Sequence, residues 1–597
     1  MSKETVNNSK EDKGQTNIKK TGAWYSPVLM ALPIMCLFVV GPLEIYSSNS
    51  EDFLFSLKDF FPQLVGIGLL IWLVASVILL FLPRKVRSIC NMLLFYIGLM
   101  FYVQNNFLNV KLSENDGAPM RWDQLKAVTT RNTIIWAIAF VIVIVGFILL
   151  KDKFQKIAAG LSACICLILF ASVVTMLITA IQIDREKGGQ AYTLNGADQF
   201  KVSKNDNVIF FVVDSYGSAQ LDYGLENDPD LLNPLHDFTY YDNTDSHYYG
   251  TQPSMTNMLT CIGPMDDYDS FETSQEYLNK AWTNSNTVDL YKKIHENGYK
   301  LNLYSGGGQA VYGREANLYG KVDNMVPTTR TIQEKLVMIR VEKMSIYKFM
   351  PYAVKPRFEV PNYLFGFVCT YDVPAEESGN TLFMSAMQEK SLDFVDEDTD
   401  GGLIIVQHID GTHLPTQLGA DGTYVDESDL VTTQQGLIYI INDYLQRMKD
   451  LGVYDDATII ITADHARWAA FTQDMNDPGD DPQPILFIKK AGETHDKYQV
   501  NHTPIYNDDI MPTILDTIGL EKDQYSKYGL SIFDIDGSNG EALKERERTF
   551  YMKVSDSSLP KVPGSSVNGW YGYTYTGDRE DLLEKISQGP DVVLKYK

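Results

Sequence analysis

Apolar residues are concentrated in the first third of the chain, where five long hydrophobic runs are separated by short polar links. Each run approaches the ~20 residues that a helix needs to cross a bilayer. The pattern therefore predicts a cytoplasmic tail at residues 1–25 and a five-helix transmembrane domain at 26–183. The predicted spans cover residues 26–45, 62–82, 88–104, 132–150 and 157–183.

The short flanks of these runs indicate an orientation. Lys19-Lys20 ends the tail, and basic residues recur after the second span, at Arg84–Arg87, and after the fourth, at Lys151–Lys156. Because Lys and Arg are enriched in cytoplasmic loops, the N-terminus is predicted to be cytoplasmic. Five crossings then place the rest of the chain outside the cell, so we expect a multi-pass cell-membrane protein with an extracellular domain.

The pattern changes at about residue 205, where apolar runs of four to eight residues alternate with amphipathic stretches. This alternation predicts an extracellular α/β domain whose sheet is mostly parallel and flanked by helices. We expect a linker at 184–204, the α/β domain itself at 205–540 and a small C-terminal subdomain at 541–597.

Acidic and imidazole side chains follow the predicted strands. The run Val208–Val213 leads into Asp214, Leu403–Val406 leads towards His413, and Thr458–Thr462 precedes Asp464-His465. In open α/β sheets ligands bind outside the carboxyl ends of the strands, so these side chains are expected to converge. A single Asp after a strand is commonly a helix cap or turn residue, which remains the alternative for each one alone.

A candidate nucleophile lies between the first two of these groups. Pro253 suits the first turn of a helix, so Thr251 is predicted just ahead of that helix's N-terminus. Free backbone N–H groups and the helix dipole favour an alkoxide or a bound phosphate there. Capping alone also explains a Thr at this position.

Charge excludes one class of partner. Acidic residues outnumber basic ones 76 to 51, which gives a net charge of −25. A nucleic-acid binder needs clustered Lys and Arg against phosphate, so no nucleic-acid partner is expected. An acidic excess suits an extracellular domain that must stay soluble.

The ordered motifs resemble the signature of the alkaline phosphatase/sulfatase superfamily. The resemblance is carried by Val208–Asp214, Thr251 with Pro253-Ser254, Ala463–His465 and Asp509–Asp516. Five spans followed by such a domain are similar in layout to lipoteichoic acid synthases and related membrane phosphoglycerol and phosphoethanolamine transferases.

The resemblance implies a metal site. Asp214, Thr251, Asp464 and His465 would bind one divalent metal ion, with Thr251 also acting as the nucleophile. Mn²⁺ is favoured, while Zn²⁺ and Mg²⁺ remain possible because mixed carboxylate, imidazole and hydroxyl ligation discriminates poorly among them. The synthases usually have Glu at the position of Asp214, and no His occurs in 468–487, which argues for one metal instead of two.

The resemblance also implies substrate contacts. Tyr312 and Arg314 would hold the phosphate-linked head group, since Arg is well shaped for phosphate oxygens. His413, in Gly411-Thr412-His413 with Pro415, would be a phosphate contact or general acid. A surface ion pair for Arg314 and a turn role for His413 are the alternatives.

The expected function is transfer of a phospho-head group, such as phosphoglycerol, from a phospholipid donor to a cell-surface glycan, glycolipid or polymer. The reaction would pass through a phospho-threonine intermediate at Thr251. One alternative is an extracellular phosphodiesterase, phosphatase-type or sulfatase-like hydrolase. Sulfatases need an oxidised Cys or Ser, which Thr251 cannot become, and carry Arg where this chain has Met255. The other alternative is a non-catalytic membrane scaffold with the same fold.

Overall fold

The computed structural model describes residues 24–49, 53–110, 122, 125–186, 191–263, 265, 274–305, 311, 313, 315–360, 364–365, 368–466, 482–554 and 569–595. The chain divides into two compact units. Of the described residues, the membrane unit contains those in 24–110, 122–186 and 331–370, and the α/β unit contains those in 191–330 and 371–595. Residues 331–370 thus belong to the membrane unit, although they lie within the sequence range 205–540.

The helices and strands are numbered in chain order. The α-helices are α1 Tyr25–Met35, α2 Gly41–Ser48, α3 Phe61–Phe81, α4 Arg84–Val103, α5 Lys126–Leu150, α6 Asp152–Glu186, α7 Ser218–Asn227, α8 Thr251–Thr260, α9 Ser274–Thr283, α10 Ser285–Glu296, α11 Glu334–Phe349, α12 Asn380–Lys390, α13 Leu430–Leu451, α14 Ile510–Thr517, α15 Lys522–Tyr525, α16 Ile532–Ile535 and α17 Arg579–Gln588. The strands are β1 Ala191–Leu194, β2 Lys201–Val202, β3 Asp206–Val213, β4 Thr239–Tyr241, β5 Thr244–Asp245, β6 Tyr299–Ser305, β7 Met325–Thr328, β8 Arg330–Ile332, β9 Cys369–Tyr371, β10 Asp393–Phe394, β11 Gly402–Ile409, β12 Thr458–Thr462, β13 Leu486–Lys489, β14 Gln499–Asn501, β15 Ile505–Tyr506, β16 Glu547–Val554, β17 Gly569–Thr576 and β18 Val592–Lys595.

Among the described residues of the membrane unit, five helical stretches are long and apolar enough to cross a bilayer, which confirms the five predicted spans. They are Tyr25–Ser48, Phe61–Phe81, Arg84–Leu108, Lys126–Leu150 and Asp152–Arg185. A π-helical turn at Cys36–Val40 joins α1 to α2, and another at Gln104–Leu108 extends α4. The third span, the shortest in the sequence pattern, is therefore as long as the fourth.

Helix α11 packs on α2 inside the membrane unit. Ser345 Oγ donates a hydrogen bond to the Leu37 carbonyl at 2.6 Å. Lys348 Nζ lies 2.7 Å from Glu44 Oε1. This approach requires a glycine at position 41, because a Cβ there would stand only 2.1 Å from Ser345 Oγ. These contacts hold α11, which lies almost 300 residues further along the chain, against the first span.

The α/β unit is built on a mixed seven-stranded sheet of order β14-β4-β13-β12-β3-β11-β6. Four of its six neighbouring pairs are parallel, while β13 runs antiparallel to β12 and β4. The three strands predicted to carry the chemistry, β12, β3 and β11, are direct neighbours. Thr462 and His408 both pair with Val212, so the three strands end at the same edge.

Strand β3 is buried on both faces, as expected for a strand in a sheet covered by helices on both sides. Val208, Phe210 and Val212 enter one hydrophobic core. Ile209 and Phe211 enter a second core on the opposite face. Because successive side chains of a strand alternate between faces, this uninterrupted apolar run supplies both cores.

The predicted C-terminal subdomain is an antiparallel sheet of β16, β17 and β18 with α17 beside it. Its small core contains Phe550, Tyr571, Tyr573 and Leu582, all buried. This cluster is separate from the two cores of the large sheet.

Candidate active site

Two neighbouring strands bring an acidic and imidazole cluster to the carboxyl edge of the sheet. Asp214 directly follows β3, and Asp464-His465 follows β12 after one residue. One ligand atom from each of the three side chains lies within 4.8 Å of the others. His465 Nε2 is 3.5 Å from Asp464 Oδ2 and 3.8 Å from Asp214 Oδ1. Two carboxylates and an imidazole at this spacing can hold a divalent cation.

The hydrogen bonding of Asp464 fits a cation at this cluster. Asp464 is fully buried, and its Oδ1 accepts hydrogen bonds from the backbone N–H groups of Ser215, at 3.1 Å, and His465, at 2.8 Å. Its Oδ2 is buried and has no hydrogen-bond partner among the described residues. Leaving a buried charged oxygen unpaired is costly, and a bound cation removes that cost.

Thr251 joins the cluster from a different element. It is the first residue of α8, and Gly250 before it has φ of 109°, a backbone conformation that favours glycine. Thr251 Oγ1 lies 3.4 Å from His465 Nε2. The structure therefore brings together the four residues that sequence reasoning grouped as ligands. The first N–H groups of α8 point along the helix axis in the direction that favours an anion.

Of the three residues predicted to contact the substrate, the structure describes one, His413. His413 follows β11 and is partly buried, with Nδ1 2.8 Å from the Leu414 carbonyl. The N–H of the preceding residue, Thr412, donates a hydrogen bond to the Asp214 carbonyl at 2.9 Å, so His413 belongs to a loop that contacts the end of β3. Tyr312 and Arg314 lie outside the described residues.

His408 is a neighbour of the cluster that sequence reasoning did not assign to the site. It is buried on β11, and its Nε2 lies 3.7 Å from Asp214 Oδ2. Its Nδ1 is 2.9 Å from Ser305 Oγ, at the end of β6. The sequence signal for His408 is weak. It lies one residue before the end of the apolar strand β11, and a histidine at such a position is ordinarily interpreted as a buried structural residue.

The electrostatics of the site favour the ionised form of Asp214. Burial alone would raise the pKa of Asp214, but the close approach of the His408 imidazole and the charges of the nearby histidines hold it well below its usual range. Burial lowers the pKa of His465, yet the charges of Asp464 and Asp214 outweigh it and raise that pKa. Asp214 therefore keeps the negative charge that a cation requires of a carboxylate ligand, and a cation bound here would take the place of a proton on His465, because only a neutral imidazole ligates a metal.

A family model described as Sulfatase matches residues 206–520, which is more than half of the 597-residue chain. The matched range contains Asp214, Thr251, Asp464 and His465. No curated protein sequence matches the chain.

Several solved structures are similar to the chain at low identity. The lipoteichoic acid synthase LtaP from Listeria monocytogenes is 11% identical, with a TM-score of 0.32 over 66% of this chain and 91% of that one. The phosphonate monoester hydrolase SpPMH from Silicibacter pomeroyi is 15% identical, with a TM-score of 0.32 over 63% and 87% of the two chains. A putative sulfatase from Bacteroides fragilis is 12% identical, with a TM-score of 0.35 over 63% and 87%. Likenesses this distant do not identify a reaction.

Proposed function

The chain belongs to the sulfatase family, and from that premise we propose that it is a membrane-anchored, metal-dependent transferase that moves a phospho-head group from a phospholipid to a cell-surface acceptor. The observation that carries the proposal is the 3.4 Å separation of Thr251 Oγ1 and His465 Nε2 beside two carboxylates. The acceptor is a hydroxyl of a glycan, glycolipid or growing polymer. The head group is phosphoglycerol or a similar group.

In the proposal one divalent cation, Mn²⁺ in preference to Zn²⁺ or Mg²⁺, is held by Asp214, Thr251, Asp464 and His465. Support comes from the unpartnered, buried Oδ2 of Asp464 and from the spacing of the cluster. A divalent cation there supplies positive charge that lowers the pKa of a neighbouring hydroxyl and offsets the charge of a phosphate.

Thr251 is the proposed nucleophile. Its oxygen, as the alkoxide, attacks the phosphorus of the phospholipid, and the bond from phosphorus to the diacylglycerol oxygen breaks. His413 gives the departing diacylglycerol oxygen a proton. The N–H groups at the start of α8 stabilise the charge on the phosphate as it is transferred.

The second half of the reaction uses the same groups in reverse. The acceptor hydroxyl gives its proton to His413, attacks the phosphorus of phospho-Thr251 and releases the Thr251 alkoxide. With Nδ1 facing the Leu414 carbonyl, the Nε2 atom of His413 is the one available for this proton. Catalysis of this kind depends mainly on positioning and charge stabilisation.

The membrane setting and the residue at the nucleophile position favour transfer over the other reactions of the family. Five apolar helices anchor the chain in a bilayer, and phospholipid head groups are the abundant phosphate diesters there. The positive-inside pattern supports an extracellular α/β unit, where no nucleoside triphosphates are supplied. A threonine cannot form the aldehyde that sulfate-ester hydrolysis by sulfatases needs, which argues against that reaction.

The direct test is to trap the intermediate. The full-length protein in detergent is mixed with phosphatidylglycerol and Mn²⁺, quenched in acid and analysed by peptide mass spectrometry. The expected result is a glycerophosphate adduct on Thr251 that is absent from Thr251→Ala. Consumption of lipid with no adduct on Thr251 would rule out the nucleophile. Release of free glycerophosphate in the presence of excess acceptor would favour the hydrolase, and no turnover with any phospholipid would favour the scaffold.

A further inference from the structure

The histidine next to the cluster is buried and is held at one ring nitrogen by its neighbour on β6. In the register of the sheet His408 on β11 pairs with Ser305 on β6 and with Val212 on β3. Ser305 Oγ lies 2.9 Å from His408 Nδ1. Ser305 is itself fixed, because its backbone N–H donates to Glu376 Oε2 at 3.2 Å. The imidazole therefore has little freedom to rotate.

The opposite ring nitrogen faces the metal cluster. His408 Nε2 is buried, has no hydrogen-bond partner among the described residues and lies 3.7 Å from Asp214 Oδ2. A carboxylate only accepts hydrogen bonds, so the ring nitrogen that faces it carries the hydrogen, and Nδ1 accepts from Ser305. A shift of about 0.7 Å brings the Nε2–H and the carboxylate oxygen to hydrogen-bond distance.

The two oxygens of Asp214 have different surroundings. Oδ1 accepts a hydrogen bond from Ser215 Oγ at 2.7 Å and faces His465 Nε2 at 3.8 Å, on the side of the cluster. Oδ2 faces His408. A hydrogen bond at Oδ2 therefore leaves Oδ1 turned towards Asp464 and His465.

We propose that His408, held by Ser305, is a positioning residue that fixes the rotation of Asp214 so that Oδ1 is presented to the divalent cation. His408 acts through Asp214 and does not itself contact the cation or the substrate. Groups that orient the ligands of a metal commonly change its affinity by 10–100-fold when they are removed. The inference rests on the metal centre of the proposed function, and it is independent of which head group is transferred.

The experiment measures Mn²⁺ binding directly, by electron paramagnetic resonance of the unbound ion during titration of the full-length protein in detergent. His408→Ala is expected to weaken Mn²⁺ binding about 10–100-fold. Ser305→Ala, which removes only the contact that holds the ring, is expected to weaken it less. His408→Gln, whose side-chain amide can replace the Nε2–H donor, should recover most of the affinity. Saturating Mn²⁺ should restore turnover in all three variants.

A matched control is available elsewhere in the α/β unit. His502 forms a comparable imidazole–carboxylate pair, with Nδ1 2.8 Å from Asp242 Oδ2, and is exposed. His502→Ala should leave Mn²⁺ binding unchanged. Thermal unfolding of the metal-free variants identifies any that fail to fold. If His408→Ala fails to fold, the Mn²⁺ affinities of Ser305→Ala and His408→Gln decide whether His408 positions Asp214.

The outcomes separate the two proposals. Wild-type affinity in folded His408→Ala would overturn the role of His408 and leave the metal centre intact. Weakened binding with turnover that saturating Mn²⁺ does not restore would also overturn it, because it would indicate direct participation in the reaction. If the wild-type protein binds no divalent cation, the metal centre of the proposed function is wrong.

Discussion

Thr251 and His465 are 214 residues apart in sequence, yet Thr251 Oγ1 lies 3.4 Å from His465 Nε2. The contact joins the N-terminus of α8 to the edge of the central sheet. A hydroxyl at a helix N-terminus has a capping role in many proteins, but here α8 begins at Thr251 and the hydroxyl faces the imidazole. This position suits the nucleophile of the proposed reaction, beside three side chains that could hold a cation.

The first prediction concerns the hydroxyl itself. Thr251→Ala should lower turnover of labelled phosphatidylglycerol by at least about 1,000-fold, because removing a nucleophile leaves only binding and charge stabilisation. Thr251→Ser keeps the hydroxyl and should retain measurable turnover. Release of labelled diacylglycerol measures both. Equal loss in the two variants would contradict a role for the hydroxyl.

The second prediction concerns metal removal. Chelation should lower the melting temperature of the wild-type protein, since a ligand present at 100 times its Kd stabilises the folded state by about 2.7 kcal/mol. Asp464→Asn removes a buried charge that faces Asp214 across the cluster, so this variant should be insensitive to the chelator. Glu427→Gln, at an exposed position, serves as the control and should respond like the wild type.

Much of the fold follows from the sequence pattern because the relevant signals are local. Apolar runs of span length need no tertiary information, and the five helices formed where those runs occur. The convergence of Asp214 with Asp464-His465 follows from one general rule, that neighbouring parallel strands end at the same edge. The structure supports that step with the adjacent strands β3 and β12.

Other features depend on contacts that no local pattern contains. His408 was not assigned to the site because the register between β11 and β6 is what places Ser305 behind its ring. The association of residues 331–370 with the membrane helices was not predicted either. The sequence of α11 does not indicate its partner, because the close approach of Ser345 to Gly41 depends on the tertiary structure.

The third prediction concerns a buried ion pair in the motif Asp509–Asp516. Arg546 donates to both carboxylate oxygens of Asp509, one of them at 3.1 Å, and its guanidinium lies 4.5 Å from the centre of the Tyr506 ring. Arg546→Met leaves the buried Asp509 carboxylate without its cation and should cost about 3 kcal/mol.

Thermal unfolding followed by tryptophan fluorescence tests this cost, with an expected fall of several degrees. In the double variant Arg546→Met/Asp509→Asn the carboxylate charge is gone as well, so part of the stability should return. Double-variant stability below that of Arg546→Met would contradict the account. Mn²⁺ binding should be unchanged, since the pair contributes no ligand to the cluster.

The last prediction is a pH dependence that arises at His247. Its ring packs edge-on against three tyrosines, and its Nδ1 is buried without a hydrogen-bond partner among the described residues. Burial, together with the charge of Arg546, lowers the pKa of His247 to about 4. The neutral ring is therefore the form that the folded state accommodates.

The sign of the effect follows from proton uptake on unfolding. Between pH 6.5 and 4 the imidazole of the unfolded chain binds a proton that the folded state does not, so stability falls as the pH is lowered, by at most about 1.4 kcal/mol per pH unit. Asn does not titrate and tolerates the φ of 59° at this position, so His247→Asn should melt lower than the wild type at pH 8 but lose less stability between pH 7 and 5. His502→Asn, at an exposed histidine, should follow the wild-type slope. Parallel melting curves for His247→Asn and the wild type across this window would show that another group governs the acid response.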